Sequence, residues 1–101
     1  MNMLFVVDDK HSAETCPGGT IRADKEFHNK LDEQAKSSGI RVVEGYLDGP
    51  GHRFYFIVEA DTTQQILGFT VPLISIGETN VHPVLKWSDA IATSRKLGMQ
   101  R

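Results

Sequence analysis

The chain has 101 residues, 40% of them hydrophobic and 24% charged, which suits one domain with one core, so residues 1–101 are assigned to a single domain. The net charge of −2, with Lys and Arg scattered along the sequence, argues against binding to nucleic acid or to an anionic membrane surface. One cysteine excludes an intramolecular disulfide bond, and no apolar run approaches the roughly 18 residues that cross a bilayer, so we expect a cytoplasmic protein.

The N-terminal segment has the pattern of a strand. Residues 3–7 are β-branched, aromatic and apolar on both alternating faces, which indicates a central strand covered on both sides. The strand is expected to end at Asp8 and Asp9. No basic segment precedes the run, as a signal peptide would require. The connection over residues 9–19 ends in the breaker Pro17-Gly18-Gly19 and is long for a small domain, which is typical of a functional loop.

A helix and a hairpin follow. From Thr20, apolar residues recur at about 3.6-residue spacing, and Gly39 is placed to end the resulting helix. Residues 40–47 and 52–60 have strand patterns, and the turn residues 48–51 between them predict an antiparallel hairpin.

The second half repeats a helix and a strand. Residues 61–65 can supply an N-cap with a Thr-x-x-Gln capping box, and Pro72 is expected to end or kink the helix that follows. Residues 79–87 predict a fourth strand, and Pro83, which has no N–H to donate, makes it an edge or bulged strand. Residues 88–97 predict a C-terminal helix capped by Ser88 and closed by Gly98.

This element order predicts an α+β fold of the ferredoxin-like type, βαββαβ with a C-terminal helix. Right-handed crossovers give a four-stranded antiparallel sheet with strand order 4-1-3-2. The two helices cover one sheet face, and the other face carries large apolar side chains. Because an exposed apolar face of that size usually marks an interface, we expect self-association.

Three segments resemble the dimeric α+β barrel superfamily. They are the opening residues 3–7, the hairpin residues 45–60 and the ending residues 81–85. The resemblance implies a homodimer in which two sheets pack through their apolar faces. Members of the superfamily include muconolactone-isomerase-like and antibiotic-biosynthesis-monooxygenase-like enzymes, stress-response proteins and haem-binding relatives. No catalytic motif of any of them transfers to this sequence residue by residue.

Four potential metal ligands are predicted to converge. In this topology the end of strand 1, the start of strand 3 and the early part of strand 4 meet at one edge of the sheet. The residues at these positions are His11, Cys16, His52 and His82. A thiolate and imidazoles around one point form a ligand set for zinc, copper, nickel or iron.

Each candidate also has a structural interpretation. Cys16 can be a small packed side chain, His52 can cap the hairpin, and His82 can be a packing residue. Asp8 and Asp9 could act as general bases, but adjacent acids at a strand end are more often solvated or bound to helix N-termini.

Two functions therefore stay open. The first is a homodimeric protein that binds a transition metal through the His/Cys cluster; a haem version rests on the dipeptide Cys16-Pro17, which resembles a haem-regulatory motif. The second is a metal-free protein or enzyme for a small-molecule ligand, isomerase-like or monooxygenase-like as the resemblance implies. Its pocket would lie between helices and sheet near Phe54, Tyr55 and Trp87.

Overall fold

The structure, a computed structural model, describes residues 3–17 and 21–98. Its elements in chain order are β1 Met3–His11, α1 Ile21–Ser38, β2 Arg41–Asp48, β3 Arg53–Ala60, α2 Thr63–Ile74, β4 Gly77–Val84 and α3 Trp87–Lys96. This order confirms the predicted βαββαβ arrangement with a C-terminal helix.

The four strands form one antiparallel sheet in the order β2-β3-β1-β4. This is the predicted order 4-1-3-2 read from the other edge. β4 is an edge strand, as predicted from Pro83, whose missing N–H therefore costs no ladder bond to a further strand. The other edge strand, β2, shifts its register against β3 between Val42 and Glu44, so that one extra residue bulges out of the ladder.

The core lies between one face of the sheet and helices α1 and α2. Alternate residues of the two central strands point to this face, among them Phe5, Val7 and Val58, which are fully buried. Phe69 and Leu73 of α2 and Leu31 of α1 pack against the same cluster. Burying each such side chain contributes about 1.5–3 kcal/mol, and this term holds the helices on the sheet.

Helix α2 begins at the predicted capping box. The Thr62 hydroxyl accepts a hydrogen bond from the Gln65 backbone N–H, while the Gln65 side chain accepts one from the Thr62 N–H at 3.1 Å. Pro72 was expected to end or kink this helix. It does not end it, because the helix continues to Ile74 with Pro72 and Leu73 both buried; the kink stays a prediction. Packing against the core therefore outweighs the local preference of proline to break a helix.

The predicted end of the first strand was wrong. β1 continues beyond Val7 to His11, because the ladder to β3 runs on through the pair Lys10 and Arg53. Polar residues in this extension are accommodated on alternate faces: Asp9 is fully buried, whereas Lys10 is exposed. The connection after β1 therefore starts at Ser12, and residues 18–20 lie outside the described part of the chain.

The fourth strand and the last helix are also placed differently. β4 spans Gly77–Val84 instead of residues 79–87, and α3 already begins at Trp87, with Lys86 as N-cap and no capping side chain. Ser88 is thus inside the helix and does not cap it. Gly98 follows the helix with a left-handed backbone, φ +71°, as expected for a helix-ending glycine. No helix within residues 3–17 and 21–98 is both long and apolar enough to cross a membrane.

Candidate metal centre

The end of β1 and the start of β3 bring two histidines together. His11 is the last residue of β1 and His52 immediately precedes β3, and the His11 backbone N–H donates to the His52 carbonyl at 3.0 Å. The two imidazole rings meet edge to face with centroids 5.5 Å apart. The antiparallel register of these two central strands therefore fixes the relative position of the imidazoles.

A short turn returns the chain to this pair. After β1, the Thr15 backbone N–H donates to the Ser12 carbonyl at 3.2 Å, and the Ser12 N–H donates to the Thr15 hydroxyl at 3.1 Å. Such hydroxyl-to-backbone bonds stabilise tight turns. Cys16, which follows, is half-buried, and one donor atom each of His11, Cys16 and His52 lie within 4.8 Å of one another.

His52 adopts an unusual backbone conformation. Its φ of +52° lies in the left-handed region, which costs a residue with a Cβ about 1–2 kcal/mol. Hydrogen bonds on both sides hold it there: its N–H donates to the Gly49 carbonyl at 3.2 Å and its carbonyl accepts from His11. Among the described residues it is the only non-glycine residue with positive φ, and strained residues of this kind concentrate at functional sites.

Asp9 orients the imidazole of His11. The Nδ1 of His11 and the Oδ2 of Asp9 lie 2.6 Å apart, and both side chains are completely shielded from solvent. Burial raises the pKa of Asp9, and the hydrogen bond from His11 opposes this rise. With Asp9 ionised, His11 donates from Nδ1 and leaves its Nε2 lone pair free. A carboxylate behind a histidine is the usual second layer of a metal site.

Unpaired buried polar atoms concentrate at this end of the sheet. Within the described residues, four buried side-chain atoms lack a hydrogen-bond partner, and they are Asp9 Oδ1, His11 Nε2, His52 Nδ1 and Thr79 Oγ1. Thr79 is the cross-strand partner of Asp9, so all four belong to one neighbourhood. An unsatisfied buried polar group costs about 1–3 kcal/mol, and a bound ligand would remove that cost for the two imidazole nitrogens.

The three donor atoms lie close enough together to be candidate ligands of one metal ion. Bond lengths of about 2.0–2.3 Å place the ligand atoms of a tetrahedral zinc site about 3.5 Å apart, so side-chain shifts of about 1 Å would close the observed group around one ion. Two imidazoles and one thiolate leave a fourth position free. A cleft of about 250 Å³ adjoins the group and is lined by His11, Cys16, Asp24, Leu47, Asp48, Gly49, His52 and Phe54.

The order Cys16, His11, Asp9 is also that of a nucleophile, a general base and an orienting acid. That chemistry requires a hydrogen bond between the thiol and the free imidazole nitrogen. The Nε2 of His11 has no hydrogen-bond partner within the described residues, so the required bond to the Cys16 thiol is not formed. A thiol mechanism also has no role for the nearby His52. One ion bound to all three side chains accounts for more of the arrangement.

The structure does not bring His82 to this group. His82 is paired with Val6 and so lies on the opposite, open face of the sheet, where its Nε2 is 2.8 Å from Asp8 Oδ2. It was predicted in the early part of the fourth strand, beside the end of β1. Gly77 is the residue of β4 that pairs with His11, so His82 is displaced along the strand as well as onto the other face.

The three aromatic residues predicted to line one pocket are also separated. Phe54 lies on the helix-covered face and lines the cleft beside the histidines. Tyr55, its neighbour in β3, points to the open face, and Trp87 at the start of α3 is 81% exposed. Only Phe54 keeps its predicted place at a pocket.

Asp9 is the residue of the site that sequence reasoning missed. It had been interpreted as a solvated acid or as a partner of a helix N-terminus. The signal was the two-residue alternation: Phe5, Val7, Asp9 and His11 fall on one face of a strand, and the first two are core residues. An acid two positions from a histidine on a buried face has few partners other than that histidine.

The family model that matches residues 3–98 is described as "Domain of unknown function (DUF3303)". The chain belongs to this family. A comparison with curated proteins finds no match.

Solved structures resemble the fold at low sequence identity. A putative transposase from Deinococcus radiodurans aligns with a TM-score of 0.60 at 7% identity, covering 97% of this chain and 91% of its own. A putative C-terminal regulatory domain of aspartate kinase from Porphyromonas gingivalis aligns with a TM-score of 0.55 at 16% identity, covering 81% of this chain and 51% of its own. An unknown protein from Galdieria sulphuraria aligns with a TM-score of 0.50 at 8% identity, covering 84% of this chain and 45% of its own. This chain thus spans about half of the aspartate kinase domain and of the Galdieria protein, and at these identities the likeness concerns the fold alone.

Proposed function

We propose that the protein binds one divalent transition-metal ion through His11, Cys16 and His52. The observation that carries the proposal is the convergence of three donor atoms within 4.8 Å, two of them on imidazoles that each have a buried ring nitrogen without a hydrogen-bond partner. Asp9 supports the first ligand from behind. Two imidazoles and one thiolate suit zinc or copper best among the candidates zinc, copper, nickel and iron.

The proposed site is of the open type. Three protein ligands leave one position for water or substrate, and such an ion acts as a Lewis acid or lowers the pKa of its bound water. The same arrangement argues against haem, because donors this close together leave no room for a macrocycle held by axial ligands. The proposal includes a cytoplasmic location, where the single thiol stays reduced and available to a metal.

Cobalt(II) is the sharpest probe of these three ligands. Protein purified without a histidine tag is stripped with a chelator and titrated with cobalt(II), and metal bound after purification is measured by elemental analysis. A thiolate–cobalt charge-transfer band at one equivalent, displaced by zinc, is the expected result. Cys16→Ser, which preserves side-chain size, abolishes the band, and His11→Ala or His52→Ala weakens cobalt binding.

The control is His82→Asn, because His82 lies on the opposite face and leaves the site intact. Cobalt binding equal to wild type is expected for this variant. The absence of stoichiometric metal in the purified protein, together with no charge-transfer band, would contradict the metal proposal. The metal-free small-molecule protein, isomerase-like or monooxygenase-like, would then be the favoured function.

We further propose a homodimer formed through the open face of the sheet. Four apolar residues at the centre of this face, Leu4, Val6, Ile57 and Val84, remain partly exposed. Packing a second copy there would bury them, as in the dimeric α+β barrels that the sequence resembles. Size-exclusion chromatography with light scattering tests this: a mass of twice 11.2 kDa is expected, and a stable monomer at micromolar concentration would refute it.

A further inference from the structure

A second cleft opens between helix α1 and strand β2. It has a volume of about 320 Å³ and shares Asp24, Leu47 and Phe54 with the smaller cleft at the candidate metal centre, so the two clefts adjoin. The cleft exists because α1 leaves the helix-side face of β2 uncovered: Leu47 on that face is 68% exposed. His11, whose shielded side chain carries the unpaired Nε2, lines the smaller cleft.

Phenylalanine rings form the wall of this cleft. Phe27 stacks on Phe54 with centroids 5.7 Å apart, Phe54 lies 6.0 Å from Phe56, and Phe56 meets Phe69 edge to face at 5.3 Å. All four rings line the cleft. Aromatic faces carry partial negative charge and attract cations that lie within about 6 Å of the ring centre.

The charges around the two clefts are of one sign. Three aspartates line them, Asp24, Asp32 and Asp48, and among the described residues no Lys or Arg does so. Asp24 and Asp32 stand one turn of α1 before and after His28, and neither carboxylate makes a hydrogen bond or ion pair within residues 3–17 and 21–98. Both side chains are exposed to solvent, so the carboxylates act on a ligand through their charge: a cation is attracted here and an anion is repelled.

We propose that this cleft binds a small organic cation, an ammonium group carried on an aromatic or alkyl body. The apolar body lies against the phenylalanine wall. The ammonium group lies on the α1 side of the cleft, where the carboxylates of Asp24 and Asp32, about 12 Å apart along the helix, both attract it. A volume of about 320 Å³ is at the lower end for small-molecule sites and fits a single-ring amine. The proposal concerns residues other than the three metal ligands and requires no bound metal.

Three probes with the same phenyl group and similar size test the sign of the charge. Protonated phenethylamine, neutral 2-phenylethanol and anionic phenylacetate are titrated into the full chain at about pH 7.5, where an ordinary histidine is neutral. Binding is followed by backbone amide and methyl NMR shifts in chelator-treated and zinc-treated samples. We expect the amine to bind at least about fivefold more tightly than the alcohol, with phenylacetate weakest, in both samples.

The shifts also locate the site. Leu31, Val42 and Leu47 line the cleft and are expected to shift, whereas Val6 and Ile57 on the open face are not. Equal binding of the three probes, a preference for the acid, or shifts confined to the open face would overturn the proposal. Amine binding only in the zinc-treated sample would also overturn it, because the amine would then be acting as a metal ligand.

Charge-neutral variants supply the residue-level test. Asp24→Asn and Asp32→Asn are each expected to weaken amine binding about two- to fivefold and to leave alcohol binding unchanged. Glu33→Gln is the matched control, because it removes one negative charge from the same helix outside the cleft. If Glu33→Gln weakens amine binding as much as Asp32→Asn, the net charge of the chain and not the cleft attracts the amine. Thermal unfolding of each variant confirms that it is folded.

Discussion

Replacing His52 by glycine separates two roles of this residue, because glycine removes the imidazole and also relieves the left-handed backbone. With φ at +52°, the strain of about 1–2 kcal/mol disappears, while glycine loses about 0.5–1 kcal/mol more backbone entropy on folding. Without metal, His52→Gly is therefore expected to be more stable than His52→Ala, which keeps the strain, by about 1 kcal/mol. For a domain of about 100 residues this corresponds to about 4–8 °C in Tm.

With zinc, wild type should be more stable than both variants. Wild type gains RT ln(1 + [L]/Kd), about 4 kcal/mol when zinc is present at about a thousand times its Kd, and both variants lose most of this gain. The assay is thermal unfolding of the three proteins with chelator and with zinc. Equal Tm values for the glycine and alanine variants in chelator would refute the strain argument. A full zinc-induced shift in either variant would refute His52 as a ligand.

Three further predictions concern the same end of the sheet. Asp9→Asn should weaken zinc binding about 10–100-fold, measured by competition with a chromophoric chelator, because His11 loses its orienting carboxylate; an unchanged Kd would contradict this. Burial raises the pKa of Asp9, so the folded state holds that proton more tightly than the unfolded state, and metal-free wild type should lose unfolding free energy as pH rises above about 4. Urea unfolding of Asp9→Asn should lack this pH-dependent contribution. If the unfolding free energies of the two proteins change with pH in parallel, the contribution is excluded. Gly77→Ala places a Cβ against the Lys10 carbonyl and 2.9 Å from His11 Cα, so it should lower the unfolding free energy by about 1–3 kcal/mol in chemical unfolding and also weaken zinc binding. In Gly49→Ala the added Cβ meets no atom within 4 Å, so stability and zinc binding should both stay unchanged.

Much of the fold could be predicted because local signals and topology agree. The hairpin turn, the Thr62 capping box and the proline-marked edge strand are each encoded within a few residues. The order of the strands then follows from connection rules. Local patterns could not predict the places where tertiary packing overrides them. Pro72 stays inside α2 because it is buried there, and Asp9 extends a core strand with one of its carboxylate oxygens paired to His11.

The candidate site was predictable in part. Its two histidines from neighbouring strand ends and the loop cysteine follow from the topology, because the ends of paired strands are close whatever the side chains are. His82 shows the limit of that reasoning. β4 begins at Gly77, earlier than predicted, so His82 falls late in the strand opposite Val6, and strand alternation puts it on the open face. The buried pair of Asp9 and His11 required the strand to be longer than its apolar run.

The register shift in β2 bears on how the chain avoids aggregation. β2 is an edge strand with exposed apolar side chains on both faces, and such an edge invites pairing with the same strand of another molecule, the first step of fibrous aggregation. The bulge between Val42 and Glu44 disturbs the row of free backbone groups, and the charges of Arg41 and Glu44 stand beside it. A deletion that straightened this strand would therefore be expected to reduce solubility before it reduced stability.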